Sequence, residues 1–274
     1  MGAEPGADRL SINQASIPAW SIPALAEACA ARDIGWIGLW REPVAETGLA
    51  AASRSLRDAG VKVSSLCRGG FFPAPDAAAR AERLDDNRRA IDEAAALGTN
   101  TLVLVVGGVV NHDLEASRAM VADGIAAIVP HARDAGVKLA IEPLHPMFAA
   151  DRSVVVTLKQ AREMAAALPA ETVGIAVDVY HVWWDPDVGQ EIAALDPERI
   201  LGFHVNDWIV PLPDMLLGRG MMGDGFIDLR GLRRQIDQAG YDGPIEVEIF
   251  NQALRDLPPD EALDRIKARY LETC

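Results

Sequence analysis

The feature that most constrains this chain is a repeated alternation. A short β-branched or apolar run is followed by an alanine-rich segment of helical period, which closes on a turn containing glycine. Strand-like runs fall at 10–13, 36–40, 62–67, 101–106, 138–142, 173–178, 200–206 and 243–249. Strand–helix repeats imply parallel strands joined by right-handed crossovers, and eight of them in 274 residues suit a closed barrel, for which roughly 250 residues is usual. The competitor is an open doubly wound sheet, but no Gly-x-Gly-x-x-Gly follows an early strand and no Pro/Gly/Ser-rich linker divides the chain. The expected class is therefore α/β, a single-domain (β/α)8 TIM barrel over 8–274 behind a loose tail at 1–7. Helices are expected at 21–32 and 85–96. A long one after an Asp113 cap closes at Gly136 with a kink at Pro130, and another after Asp228 closes at Gly240.

Composition narrows the function. Twenty-six Lys and Arg against 40 Asp and Glu leave a net charge of −14, which gives no broad attraction for nucleic-acid phosphates or anionic lipid. Apolar residues at 50% suffice for a large core. Three cysteines, Cys29, Cys67 and Cys274, form no CxxC pair, which argues against a disulfide framework or a thiolate zinc site. The opening MGAEPGADRL lacks the basic start and apolar stretch of a secretion signal, and no run is long enough to span a bilayer, so a cytoplasmic protein with no membrane or nucleic-acid partner is expected.

A barrel gathers its chemistry at the C-terminal ends of its strands. Here KLAI ends in Glu142, VGIAV in Asp178, ILGF runs into His204, and PIEV leads to Glu248. Alternation puts Ala140 with Glu142, Ala176 with Asp178 and His204 with Asn206 on one face. A lone strand-end carboxylate is as often a helix cap, and a lone histidine is usually a satisfied core residue. Four together on consecutive strands point instead to one divalent cation, because three facing carboxylates in an apolar barrel repel unless a cation or protons intervene. The oxygen-rich set favours Mn²⁺, Mg²⁺ or Co²⁺ and is compatible with Zn²⁺. Glu246 shares parity with Glu248 but lies deeper, as a support or substrate contact.

At these residues the chain resembles the xylose isomerase-like barrel superfamily, which includes ketose 3-epimerases, hydroxypyruvate isomerases and inosose-processing enzymes. The likeness is carried by Ile141-Glu142-Pro143, Asp178-x-x-His181, the FHVND of 203–207, Gly218-Arg219-Gly220, Gly223-Asp224-Gly225, and Gly240-Tyr241-Asp242-Gly243 leading to Glu248. It implies a metal held by Glu142, Asp178, His204 and Glu248. It further implies Glu142 and Glu248 as catalytic acid and base on opposite faces of a sugar, and His181 and Arg219 on substrate oxygens. The implied enzyme is a metal-dependent isomerase or epimerase that moves a proton on a small ketose, sugar acid or cyclitol through an enediolate. An inosose-type dehydratase is the main alternative; an inactive sugar-binding barrel and an abasic-site endonuclease rank lower, the latter opposed by the charge. One departure stands out. Ketose 3-epimerases carry an acidic substrate contact where this chain has Phe148, which argues against a simple free ketohexose.

Other candidates have two readings. His145 either contacts substrate or caps the turn at Pro146. Arg41 and Arg68 follow strands and could meet a phosphate or carboxylate, although Arg41 is better read as an ion-pair partner of Glu42 or another acid. Trp183, Trp184, Trp208, Phe71 and Phe72 serve equally as pocket wall or as a contact in a homo-oligomer. His112 reads as a helix-entry turn, His131 as structural, and Cys67 as a buried inert thiol.

Overall fold

All eight runs become strands. In a computed structural model that describes residues 6–274, they are β1 (Leu10–Asn13), β2 (Trp36–Trp40), β3 (Lys62–Gly70), β4 (Thr101–Val105), β5 (Lys138–Ile141), β6 (Val173–Asp178), β7 (Ile200–Val205) and β8 (Ile245–Val247). They pair in parallel and close in the order β1-β8-β7-β6-β5-β4-β3-β2. Residues 1–5 of the expected tail lie outside the described residues, and Ala7 opens a 3-10 turn, Ala7–Arg9.

Two strand ends differ from the expected runs. β3 continues past 67 because the register shifts between Cys67 and Gly69, which lets Gly69 and Gly70 pair with Leu104 and Val105. Gly70, at φ 106°, lies so close to the Val105 carbonyl that a Cβ there would collide with it. The last strand is shorter than 243–249, leaving Glu248 just beyond the ladder at the mouth.

The helical jacket follows its caps. Ser21, Asp76, Asp113, Thr157 and Asp228 each accept a backbone N–H with the side chain, and Gly98 and Gly136 close helices in the left-handed region. The helix expected at 85–96 begins earlier, at Ala77 (Ala77–Leu97), behind the Asp76 cap; its first two turns are alanine-rich and mostly exposed, so no apolar period marks them. The helix Leu114–Ala135 runs through Pro130. No helix among the described residues is long and apolar enough to cross a membrane.

The core has two parts of different chemistry. Between strands and helices lies a continuous layer of fully buried residues such as Leu10, Ile37, Leu104, Ile141, Ile175 and Phe203, each contributing roughly 2 kcal/mol by burial. Inside the barrel, Cys67, Val103, Ala140 and Ala176 form a separate small-residue cluster. Their short side chains leave room for Ser11, Ser65, Glu246 and, at the upper end, the acids.

Candidate metal centre and substrate cleft

Glu142, Asp178, His204 and Glu248 converge at the C-terminal mouth, each offering a ligand atom within 4.8 Å of the others, and all four are buried. Period-two alternation puts them there: Asp178 and His204 are register partners on β6 and β7, while Glu142 and Glu248 each follow the last residue of their strand.

The electrostatics are those of a cation site. Burial opposes a charge on His204, yet the carboxylates of Glu246, Glu142 and Glu248 outweigh it and push its pKa up to about 10. Burial raises Glu248 to about 7, an effect that Arg219 and His204 limit and that Glu142 and Asp178 reinforce. Asp178 is also penalised by burial, but Arg219, His181 and His204 hold its carboxyl below the usual range. Glu142 Oε1 and His204 Nδ1 stand 3.2 Å apart, but not in hydrogen-bonding alignment, so both are buried without a partner. Two orphaned donor atoms, facing each other among buried carboxylates, fit a divalent ion. Thiolate is absent from the set, and oxygen dominates it, so the residues suit Mn²⁺, Mg²⁺ or Co²⁺ and accommodate Zn²⁺.

Arg219 enters from the short ribbon pairing Asp207–Trp208 with Arg219–Gly220. Its Nη1 donates to Asp178 Oδ2 at 2.7 Å and Glu248 Oε2 at 2.8 Å, and its guanidinium lies against the rings of Tyr180 and Phe250. His181 is buried, and burial depresses its pKa to about 3, with Arg219 adding to the effect against Asp178. Its Nδ1 accepts the backbone N–H of His145 at 3.1 Å, while Nε2 faces Arg219 Nη2 at 3.2 Å. Both ring nitrogens thus face an N–H donor, and a neutral imidazole can accept at only one of them, so the other is free to turn its N–H to an oxygen once Arg219 or the His145 amide is engaged elsewhere.

Beneath the acids lies a support that the strand-end pattern does not show. Asn13 Oδ1 accepts from Trp40 Nε1 at 3.0 Å and from the Ala15 N–H at 3.0 Å, which turns its amide nitrogen toward two carboxylates. Nδ2 donates to Glu246 Oε1 at 2.6 Å and Glu248 Oε1 at 3.0 Å. The other Glu246 oxygen accepts from Ser64 at 2.8 Å and Ser65 at 2.9 Å. Glu246 is thus a satisfied support inside the barrel and does not line the cleft. Asp207, also missed, is fully buried and accepts the backbone N–H groups of Trp208, Gly223, Gly225 and Ile227. That anchor explains the Gly-Asp-Gly motif: a Cβ at Gly225 would meet the Asp207 carboxylate and the Trp208 carbonyl.

The cleft over the acids is lined by Glu142, His181, Arg219 and Glu248, walled by Trp40, Phe148, Tyr180 and Phe250, and flanked by Arg68 and Arg152. A larger cavity of ≈ 730 Å³ lies beside it over the ends of β1 and β2 and shares Trp40 and Phe250. It holds none of the four converging residues. His145 caps the Pro146–Phe148 turn by accepting the Met147 N–H and stacks on Trp208, 5.1 Å between centroids, outside the cleft lining. Arg41 is turned away, paired with Asp86 and Glu93 and not with Glu42. Trp183, Trp184 and Trp208 cluster around His145, whereas Phe72 packs into the core against Gly124. His112 is an exposed turn residue at φ 56°, and His131 pairs with Asp92 on the surface. Cys67 is buried, which raises its pKa well above that of a free thiol.

Comparison with known proteins agrees with this geometry. A family model described as a xylose isomerase-like TIM barrel matches residues 26–274. The chain is 51% identical to the solved structure of protein SMc04130 from Sinorhizobium meliloti 1021, covering 98% of this chain and 99% of that one at a TM-score of 0.94. The IolI protein, solved with a bound zinc atom, shares the fold at TM-score 0.84 and 21% identity, over 97% of each chain. Among curated proteins, the chain is 29% identical over 203 residues to 3-dehydroshikimate dehydratase of Pseudomonas aeruginosa, matching 70% of this chain but only 31% of that longer protein. It is 26% identical over 227 residues to L-ribulose-5-phosphate 3-epimerase UlaE of Escherichia coli K12, covering 80% of this chain and 76% of the relative.

Proposed function

Since the chain belongs to the xylose isomerase-like TIM barrel family, we propose that it is a divalent-metal-dependent isomerase or epimerase of a small ketose, sugar acid or cyclitol. The observation that carries the reading is the convergence of Glu142, Asp178, His204 and Glu248, with unpartnered donor atoms between Glu142 and His204. These four residues would hold the ion, which when bound polarises a substrate carbonyl and its neighbouring hydroxyl and so acidifies the intervening C–H.

The protein residues divide the remaining work. Glu142 and Glu248 follow strands separated by β6 and β7 in the ring, so they flank the cleft as proton acceptor and donor. His181 and the Arg219 guanidinium hold substrate oxygens where enediolate charge develops. Trp40, Phe148, Tyr180 and Phe250 shut water out. Return of the proton to the opposite face of the same carbon epimerises; return to the neighbouring carbon isomerises. The acidic charge and the free cysteines support a cytoplasmic setting.

The likeness to a dehydratase favours one second reading, a lyase that uses the same acids to expel a hydroxyl β to a carbonyl. The test is a panel of ketoses, sugar phosphates and inososes incubated in D₂O with Mn²⁺. An isomerase or epimerase gives solvent deuterium in recovered substrate and product without a conjugated chromophore. A lyase gives a UV-absorbing product, and a panel that shows neither metal-stimulated exchange nor such a product would defeat both readings.

A further inference from the structure

Most half-buried arginines of this acidic chain have a polar partner. Arg9 pairs with Asp237, Arg32 with Asp264 and Arg162 with Glu191, and Arg199 donates to the Ala165, Val173 and Leu168 carbonyls. Two half-buried arginines in the cleft make no side-chain hydrogen bond among the described residues. The Arg68 side chain makes no hydrogen bond or ion pair among the described residues; its guanidinium lies over the Phe71 ring, 4.1 Å from the centroid. Arg152 lies 5.8 Å from the Phe148 centroid, and its sole acid contact is a long one, 3.9 Å to its sequence neighbour Asp151. The rings hold both guanidinium groups in place and leave their N–H donors unused.

The remaining charges do not call for them. Glu142, Asp178 and Glu248 face Arg219, His204 and the cation site, and Glu246 is satisfied by Asn13, Ser64 and Ser65. Arg255, in the neighbouring cavity, also has no ion pair among the described residues, but it donates to the Ala15 carbonyl at 2.9 Å and shares its lining with the acids Glu42 and Glu46. Phe148, on the same wall, offers them an aromatic face and no carboxylate. Two cationic forks without acids, in one cleft of a strongly acidic protein, are built for an anion.

We propose that the substrate of this site carries an anionic group, a carboxylate or a phosphate, that Arg68 and Arg152 hold in the cleft lined by Glu142 and Glu248. The assignment rests on the isomerase reading for the identity of the site, but anion binding can be measured without turnover.

The test compares solvent-deuterium exchange, with Mn²⁺ in D₂O, for D-fructose, D-fructose 6-phosphate and D-fructuronate. These probes are neutral, phosphorylated and carboxylated ketoses of one carbon length. At least one anionic ketose should exchange with kcat/KM about tenfold or more above D-fructose, the scale of a charge-assisted fork. Arg68→Gln and Arg152→Gln should each pull that ratio toward one through KM, Arg68→Lys should keep part of it, and Arg80→Gln, on a surface ion pair, should keep all of it. A wild-type ratio near one, or a ratio untouched by both glutamine variants, overturns the proposal. If no ketose exchanges, the isomerase reading fails, and thermal shifts by inorganic phosphate and tartronate decide the anion site. Protection of wild type that is lost in the double variant sustains it, and equal response overturns it. Far-UV circular dichroism establishes that each variant is folded, and if a glutamine variant is not, the lysine variant supplies the comparison.

Discussion

The Glu246 carboxylate fills the space over Gly38 that a side chain would need: a Cβ built at Gly38 meets both carboxylate oxygens. Gly38 pairs in register with Asn13, and Asn13 donates to the same carboxylate, so β1, β2 and β8 close around one buried acid. Gly38→Ala must therefore displace Glu246 or strain β2, at about 1–3 kcal/mol for an overpacked site. Urea unfolding should show that loss in wild type. In a Glu246→Ala background, Gly38→Ala should cost little, so the double variant should lose clearly less than the sum of the two single losses. Additive losses would mean that the two residues do not share this space.

Glu142→Gln and Glu248→Gln keep shape but remove the charge and the basic oxygen. Each should lower metal-stimulated deuterium exchange by about 10²-fold or more while leaving far-UV circular dichroism unchanged. Mn²⁺ should also raise the melting temperature of wild type, since a ligand at 100 times its Kd adds about 2.7 kcal/mol. Asp178→Asn should abolish most of that rise. Near-normal exchange in either glutamine variant would remove the two-glutamate chemistry; an unchanged Mn²⁺ response in Asp178→Asn would remove the metal centre as drawn.

Asn13 orients the Glu248 carboxylate by holding Oε1, while Arg219 holds Oε2. Asn13→Ala should lower kcat for exchange by about 10- to 100-fold, the scale of losing a support behind a ligand, with a smaller change in KM. Trp40→Phe removes the donor that fixes the amide's orientation and should move kcat in the same direction by less. A KM effect with kcat intact would show that Asn13 serves the cleft wall and not the carboxylate.

The three converging acids and His204 were legible because each stands at or near the end of an apolar run, and a barrel brings strand ends to one mouth whatever the loops do. Asn13 and Gly38 were not, because their role depends on how β1 closes against β8, more than 200 residues away in sequence, as the Asn13–Glu246 separation of 233 shows. Arg152 was hidden for another reason. It sits in an irregular loop whose path is fixed by contacts such as Gly107 N–H to the Arg152 carbonyl, and no periodicity reports such contacts. Asp207 closes the FHVND run, yet three of its four backbone partners come from a loop that only the ribbon folds back over it.

Cys29 gives a pH signature independent of the site. It is fully buried in the helix Ile22–Ala30, and burial raises its pKa from 9.0 to about 12, only slightly offset by Arg32. The folded state therefore keeps a proton that the unfolded chain loses above pH 9. The stabilisation is complete below about pH 9 and is lost as pH rises toward 12. At pH 10.5 the loss reaches about 2 kcal/mol, at 1.36 kcal/mol per pH unit. Urea unfolding of wild type and Cys29→Ala at pH 8 and pH 10.5 separates this effect from other alkaline titrations. The variant carries the same packing loss at both pH values, so the gap between the two proteins should narrow by that amount at the higher pH. A constant gap would show that the Cys29 thiol titrates alike in folded and unfolded chains.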